Sequence, residues 1–437
     1  MPFDIIVGRN ESDKKDFGKR GLAFIGKGFV SMGNYTSLSN PIFLDVVRSH
    51  VILVAGKRGS GKSYTLGAIA ESLSNLKVEE AANISSLIFD TMGIFWTMKY
   101  KNEKDGELLS EWDLKAQNVP LRVFAPFGYF QEYRDKGIEV DEEFAIKISE
   151  LEPNDWVSLF DLDFTNPIAV VIESVISELK NKNSKFGFEE IYSLIYRTKN
   201  VENDIKNSAI ALFDVARTWK VFDEERGTNV KELVTPGTTT VIDLSMYASI
   251  GAFNVRALII GLVSKKLFSE RMKARKDEEI QAISRGIDYG RYEIRRDIPI
   301  VWIFIDEAHE FLPKETKTPA TDALVQILRE GRQPGLSLVL ATQQPGKIHT
   351  DAITQSDIVI SHRVTAKIDI EALNEITQSY LYETISEKLN SLPKLKGSAV
   401  ILDDNSERIY PMKIRPRFTW HGGEAPLAIK KTEDIFS

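Results

Sequence analysis

The chain has 437 residues, 43% hydrophobic and 27% charged, a balance that allows a sizeable buried core and excludes a fibrous or disordered chain. Cysteine is absent, which excludes disulfides, thiolate metal sites and cysteine nucleophiles and leaves five histidines as the only soft metal ligands. The formal charge of 56 − 63 = −7 means that any contact with nucleic acid has to be local.

In chain order, residues 1–48 carry short β-type runs, Asp4-Ile5-Ile6-Val7 and Leu22-Ala23-Phe24-Ile25, broken by glycines, and are expected to form a small β-rich N-terminal module. The opening Met1-Pro2-Phe3-Asp4 has no charged leader before an apolar stretch, and no apolar run has the length of a membrane span. The expectation is therefore a cytoplasmic protein without a membrane segment. His50 to Ala55 is a continuous apolar run suited to a strand buried on both faces, and Ser63 to Leu73 follows as a helix. Ser85 to Asp90 is the next buried strand, which completes a βαβ unit and predicts a parallel sheet.

Beyond it the period becomes helical. Pro167 to Leu179 sets Ile168, Val171, Ile172, Val175 and Leu179 on one stripe behind a Thr165/Asn166 cap. With Phe188 to Tyr196 and Asp204 to Ala216, this predicts an all-helical insertion over 100–234. The sheet resumes at Thr238 to Leu244, and Val255, Leu258, Ile259 and Leu262 mark the apolar face of a helix. Lys273 to Asp297 reads as a long polar loop, and Ile298–Ile305, Leu336–Ala341 and Asp357–Ser361 as further strands. Charge is uneven: Glu139 to Asp163 is strongly acidic and Lys265 to Arg296 strongly basic, a pattern that two solvated faces would also produce.

Gly56-Lys57-Arg58-Gly59-Ser60-Gly61-Lys62-Ser63 has the P-loop spacing and lies between a strand and a helix, the context its mechanism needs. Glycines let successive backbone N–H groups turn toward phosphate oxygens, and the helix that follows adds its positive end. Lys62 is placed to reach the β- and γ-phosphates and Ser63 to ligate magnesium, with Tyr64 closing the nucleotide-binding set. The partner segment is Ile300 to Glu307, an apolar strand ending in two acids. Asp306 is expected to hold the magnesium and Glu307 to polarise the attacking water. A structural role for two adjacent buried carboxylates would be costly. Together these segments predict an enzyme that binds and hydrolyses ATP with Mg2+. His309 is read as local structure, with a supporting role behind the acid pair left open.

With these motifs and Leu336 to Pro345 behind them, the chain resembles the HerA-FtsK superfamily of hexameric DNA-pumping ATPases over about residues 15–425, with HerA the closer branch. The specific parts are Asp306-Glu307-Ala308-His309, Glu330-Gly331-Arg332 and the strand ending in Gln343-Gln344-Pro345. The resemblance implies an α/β fold: a RecA-like P-loop NTPase core of mainly parallel sheet (49–99 and 235–415), the insertion at 100–234, the N-terminal module at 1–48 and a brace or tail at 416–437 that crosses to the next subunit. It implies that Gln343 senses the γ-phosphate and that Asp90 lies near the catalytic water. It also implies that Arg332 or Arg363 reaches a neighbouring subunit's ATP. Two departures stand out: Ile94 replaces an acid after Gly93, and the N-terminal module is shorter than the family's β-barrel.

The function implied is an ATP-driven translocase or helicase-type motor, a homohexameric ring acting on double-stranded DNA in end processing, repair or defence, with a nuclease as possible partner. Lys273–Arg296 and Lys314–Lys317 are the candidate channel loops. Two other readings stay open: a scaffolding or regulatory ATPase that activates a partner effector, and a secretion or pilus-type motor.

Overall fold

The computed structural model describes residues 3–32, 35–182, 185–248, 252–285, 296, 298–377, 388–389, 392–393 and 395–424. The N-terminal β-type runs become β1 (Ile5–Val7), β2 (Leu22–Met32) and β3 (Tyr35–Asp45), with β2 and β3 an antiparallel pair and β1 parallel to β3. The first all-apolar run is β4 (Val51–Ala55); the P-loop follows it and leads into helix α1 (Lys62–Ser74) and then β5 (Ile84–Asp90). Next come β6 (Leu121–Pro126) and β7 (Glu142–Phe144), then β8 (Ile146–Lys147). Four helices follow, α2 (Pro153–Leu159), α3 (Pro167–Lys182), α4 (Phe188–Arg197) and α5 (Asn203–Thr218), before β9 (Phe222–Asp223). The chain continues with β10 (Thr239–Asp243), α6 (Phe253–Arg285), β11 (Ile300–Ile305), α7 (Thr321–Glu330), β12 (Leu336–Thr342) and β13 (Ile358–Ser361). It closes with the hairpin β14 (Ser398–Asp403) and β15 (Arg408–Ile414).

One sheet takes all of these strands except β8 and β9, in the order β1-β3-β2-β15-β14-β13-β4-β12-β11-β5-β10-β6-β7. From β13 to β7 every neighbouring pair is parallel. The central strands β4, β12 and β11 are covered on both faces, which is why they read as nearly unbroken apolar runs and not as an alternation, whereas the edge strand β7 is largely exposed. In β4, Leu53 and Ala55 join the core under the inserted helices and α6, whereas Ile52 and Val54 join the core under α1 and the N-terminal strands. The fold is thus a three-layer α/β sandwich of the P-loop type. Its order places β12 between the P-loop strand β4 and the acid-bearing strand β11.

Three expectations need correction. Lys273 to Asp297 is not a loop at its start, because α6 runs on to Arg285; residues 286–295 and 297 lie outside the described ones. Lys and Glu are good helix formers, and this stretch is held by the pairs Lys273–Glu270 and Arg275–Glu279. Arg271 also binds Glu278 and the Pro334 and Ile298 carbonyls inside the fold. Polarity there marks a solvated helix with one anchored arginine. The 100–234 segment is not all helical either, since β6 and β7 extend the main sheet and β8 pairs with β9.

The N-terminal strands are not a separate barrel: β2 pairs with β15, so the C-terminal hairpin fuses them to the core sheet. The described part of the tail, up to Glu424, docks on its own chain. Arg415 and Arg417 are wholly buried against Glu71, Thr419 bridges to Lys101, and Asn102 donates to the Arg417 carbonyl. Residues 425–437 lie outside the described ones.

Candidate active site

In an open parallel sheet the carboxyl ends of the strands face the crevice where ligands bind. Here β4, β12 and β11 end side by side in Gly56, Gln343 and Asp306. The P-loop is pinned at its base, where Gly56 N–H donates to the Thr342 carbonyl at 3.2 Å and Lys57 N–H to the Arg363 carbonyl at 3.0 Å. Gly61 turns with φ of 112°, a region that favours glycine, and hands the chain to α1, so that Lys62 is buried in the first turn. Lys57, Arg58 and Gly59 stay exposed at the rim.

Across the crevice, Ser63 Oγ donates to Asp306 Oδ2 at 2.5 Å. Burial raises the Asp306 carboxyl above its ordinary range, and the Ser63 bond offsets this only in part. The next residue, Glu307, sits in the left-handed region with φ of 48° and ψ of 43°. A non-glycine residue there carries roughly 1–3 kcal/mol of strain. Its Oε2 is buried without a hydrogen-bond partner among the described residues. Burial and the Asp306 charge push its pKa up to about 7. Strain and an orphaned acceptor at one residue are what a site built for an incoming ligand shows.

His309, read from sequence as local structure, belongs to this group. Its Nδ1 lies 3.6 Å from Glu307 Oε2 and 3.1 Å from Thr342 Oγ1, and the Gln344 amide reaches Nε2 at 3.3 Å. With Nε2 accepting from that amide, the proton is on Nδ1. Burial, Lys62 and Lys347 hold its pKa down at about 4, so the ring is neutral beside the acid pair. The sequence signal for it was the fourth letter of Asp-Glu-Ala-His.

The other expected residues divide. Gln343 is half-buried at the end of β12, between the P-loop and the acid pair. Tyr64 faces the tail, its hydroxyl accepting from Arg417 N–H at 2.7 Å and its ring edge-on to His421 at 5.2 Å. Asp90 offers no free carboxylate: its oxygens accept from the N–H groups of Met92, Gly93 and Phe95 and so fix the turn after β5. Its acid is raised by burial and by neighbouring Asp243.

Arg332 lies at the amino edge of the sheet, before β12, with its side chain 71% exposed and bonded to Asp357 at 3.3 Å. The seven residues of β12, roughly 20 Å of extended chain, separate it from its own P-loop. Arg363 is exposed just after β13, and its backbone belongs to its own P-loop's frame. Lys314–Lys317 is an exposed turn after β11, with Lys317 paired to Asp322.

The donor set fits a magnesium ion. Ser63 Oγ and Asp306 Oδ2 converge, a buried acid lacks a full counter-charge, and Glu307 Oε2 is unpartnered beside them. No helix among the described residues is long and apolar enough to cross a membrane.

Comparison with known proteins bears on the family and the fold. The family described as "Helicase HerA, central domain" matches residues 30–263, more than half of the chain, and that of the zonular occludens toxin (Zot) matches 296–396. The chain is 24% identical over 319 residues to the DNA double-strand break repair helicase HerA of Pyrococcus furiosus, covering 64% of this chain and 57% of that one. To the protein of the same name from Sulfurisphaera tokodaii it is 24% identical over 372 residues, covering 83% and 63%. It thus spans less than two thirds of each of these relatives. Among solved structures, VirB4 of Thermoanaerobacter pseudethanolicus superposes with a TM-score of 0.54 at 11% identity, covering 91% of this chain and 98% of that one. The conjugative coupling protein TrwB does so at 0.51 and 12%, covering 93% and 97%. These last two bear on the fold alone. On the match over 30–263, the chain belongs to the HerA family.

Proposed function

We propose that this chain is an ATP-hydrolysing motor subunit that works in a homo-oligomeric ring, a hexamer by family resemblance, on double-stranded DNA. The observation that carries the ATPase reading is Glu307, held in a strained conformation with an unpartnered carboxylate oxygen facing a complete P-loop. In this reading the N–H groups of Gly56 to Ser63 cradle the phosphates and Lys62 contacts the β- and γ-phosphates. Ser63 and Asp306 would hold Mg2+, which supplies charge neutralisation on those phosphates. Glu307 takes the proton of the attacking water. Neutral His309, held by Thr342 and Gln344, adds no positive charge beside that carboxylate, and Gln343, one strand away on either side, touches both water and γ-phosphate.

One feature supports a ring. Arg332 is exposed and stands a strand's length from its own P-loop, so the ATP it can serve is a neighbour's. The names of the relatives support DNA as the track and repair as the setting. A nuclease partner is the natural consumer of DNA ends in that setting. An acidic exterior is compatible with this, since only a channel needs positive charge and phosphate contacts there would be salt-dependent.

The test is the ATPase rate of the purified chain with and without linear duplex DNA. Duplex is expected to stimulate turnover, and Lys62→Ala to abolish nucleotide binding or turnover. Turnover unaffected by Lys62→Ala would refute the site, and stimulation by a protein partner alone would replace the motor with the scaffold reading.

A further inference from the structure

His362 is fully buried behind the P-loop, and nothing in the mechanism above uses it. It follows β13, whose register with β4 pairs Ser361 with Ala55, so residues 362 and 363 stand level with the start of the loop. Its N–H donates to the Ala55 carbonyl at 2.8 Å, and the Arg363 carbonyl takes the Lys57 N–H at 3.0 Å. The imidazole then reaches under the loop to its far limb. Nε2 lies 2.8 Å from Thr65 Oγ1 in the first turn of α1, and Nδ1 lies 3.0 Å from the Ser398 carbonyl at the start of β14.

The hydrogen-bond roles follow from chemistry. A carbonyl only accepts, so Nδ1 carries the proton and Nε2 accepts, and the Thr65 hydroxyl shares its one proton between Nε2 and the Gly61 carbonyl at 3.0 Å. The ring also occupies the space beside two loop glycines. A Cβ on Gly56 would stand 2.7 Å from His362 Cβ, and one on Gly61 would stand 3.6 Å from His362 Cε1. The loop's two limbs and the ring are therefore mutually shaped, and Thr65 is itself wholly buried.

We propose that His362 is a positioning residue for the phosphate loop: through Thr65 and the Arg363 backbone it holds both limbs in the phosphate-accepting shape and ties them to the strand that carries Arg363. This rests on the P-loop reading above and deepens it. Burial together with Lys62 keeps the imidazole neutral, which suits a residue that must present one donor and one acceptor. The consequence is that phosphate binding and the placement of Arg363 are one mechanical unit.

The experiment measures the affinity of the full chain for a fluorescent ATP analogue, with ATPase KM and kcat, in His362→Leu, His362→Gln, Thr65→Val and the Thr65→Val/His362→Leu double variant. His362→Leu is expected to weaken analogue binding and raise KM about tenfold while kcat changes much less. His362→Gln, which keeps a donor and an acceptor, should recover most of the loss. Thr65→Val should weaken binding in the same direction, and the double variant should be no worse than the poorer single one, because both break one link. Binding at the wild-type level by folded His362→Leu, additivity in the double variant, or equal loss in Gln and Leu would each overturn the proposal. If His362→Leu does not fold, an unchanged affinity in Thr65→Val overturns it just as well. Lys62→Ala separates the two levels: if it too binds the analogue normally, the P-loop reading itself has failed.

Discussion

Helix α1 has a buried acid near each end, and the two are treated in opposite ways. At its amino end Ser63 faces Asp306 and Glu307, where Glu307 Oε2 has no hydrogen-bond partner among the described residues and the backbone is left-handed. Two turns on, Glu71 is wholly buried, where Glu307 keeps 21% of its side chain exposed, and it is saturated. It accepts from Arg415 Nη1 at 3.0 Å, Arg417 Nε at 2.8 Å, Phe418 N–H at 2.9 Å, Thr419 N–H at 3.2 Å and the Thr419 hydroxyl. Burial alone would raise the Glu71 pKa, but the two guanidiniums and the Thr419 hydroxyl outweigh it and hold the acid ionised. A buried charge that is fully paired holds the fold together, here by clamping the tail to the P-loop helix. One left unsatisfied destabilises the empty fold, and a phosphate-binding crevice gives it something to meet.

The sharpest way to break this contrast is to remove each acid. Glu71→Ala strands two buried guanidiniums, and removing one partner of such a cluster costs about 3–5 kcal/mol. Thermal or urea unfolding should show that loss, with release of the tail seen as new proteolysis near residue 415. A shift of less than about 1 kcal/mol would mean that the cluster is not the anchor it looks like.

Glu307→Gln should do the reverse: turnover falls about 10²–10⁴-fold, the range for loss of a general base, while bound ATP persists. Stability should not fall with it. The Glu307 pKa of about 7 lies above the ordinary 4.5. Between those values the folded chain keeps a proton that the unfolded chain has released, so this group's contribution to stability declines as pH rises through that window. Glutamine cannot ionise. Variant and wild type should therefore unfold alike below about pH 4.5, with the variant increasingly the more stable up to about pH 7 and by a constant margin above it. A variant less stable than wild type at pH 8 would remove the case for a costly ionised carboxylate at this site.

Much of the crevice was legible because its physics is local. The P-loop spacing, the apolar run ending in Asp306-Glu307 and the strand ending in Gln343 each state their chemistry within about ten residues, and parallel strands buried on both faces announce themselves as unbroken apolar runs. What could not be read were pairings across the chain. Glu71 looks like one more helix-surface acid until β15 brings Arg415 and Arg417 to it, 344 and 346 residues away. His362 is one letter after a strand until the β13–β4 register sets it beneath the loop. Asp90 had the right position for a catalytic acid, yet its oxygens are taken by the backbone of 92–95, the turn in which Ile94 replaces the family's acid. Lys273 to Asp297 reads as a loop because it is polar, whereas a solvated helix is equally polar and α6 runs on to Arg285.

The comparison leaves a third kind of charge, neither buried nor saturated. Arg332 is bonded to Asp357 at 3.3 Å but is 71% exposed, and an ion pair of that kind is worth at most about 1 kcal/mol. Arg332→Ala should hardly alter unfolding, within about 0.5 kcal/mol. Asp357 remains held in any case, since burial would raise its pKa but the His50 imidazolium, 2.6 Å away and itself raised to about 9, keeps it ionised. An arginine so weakly bound at home, on the edge away from its own P-loop, is free to act on a neighbour. Mixing Arg332→Ala with wild-type chains should then depress ATPase activity by more than the mutant fraction, because each altered subunit silences a site whose own P-loop is intact. Loss in simple proportion to the mutant fraction would return Arg332 to an ordinary surface charge and leave Arg363, already fastened to its own loop, as the arginine to test next.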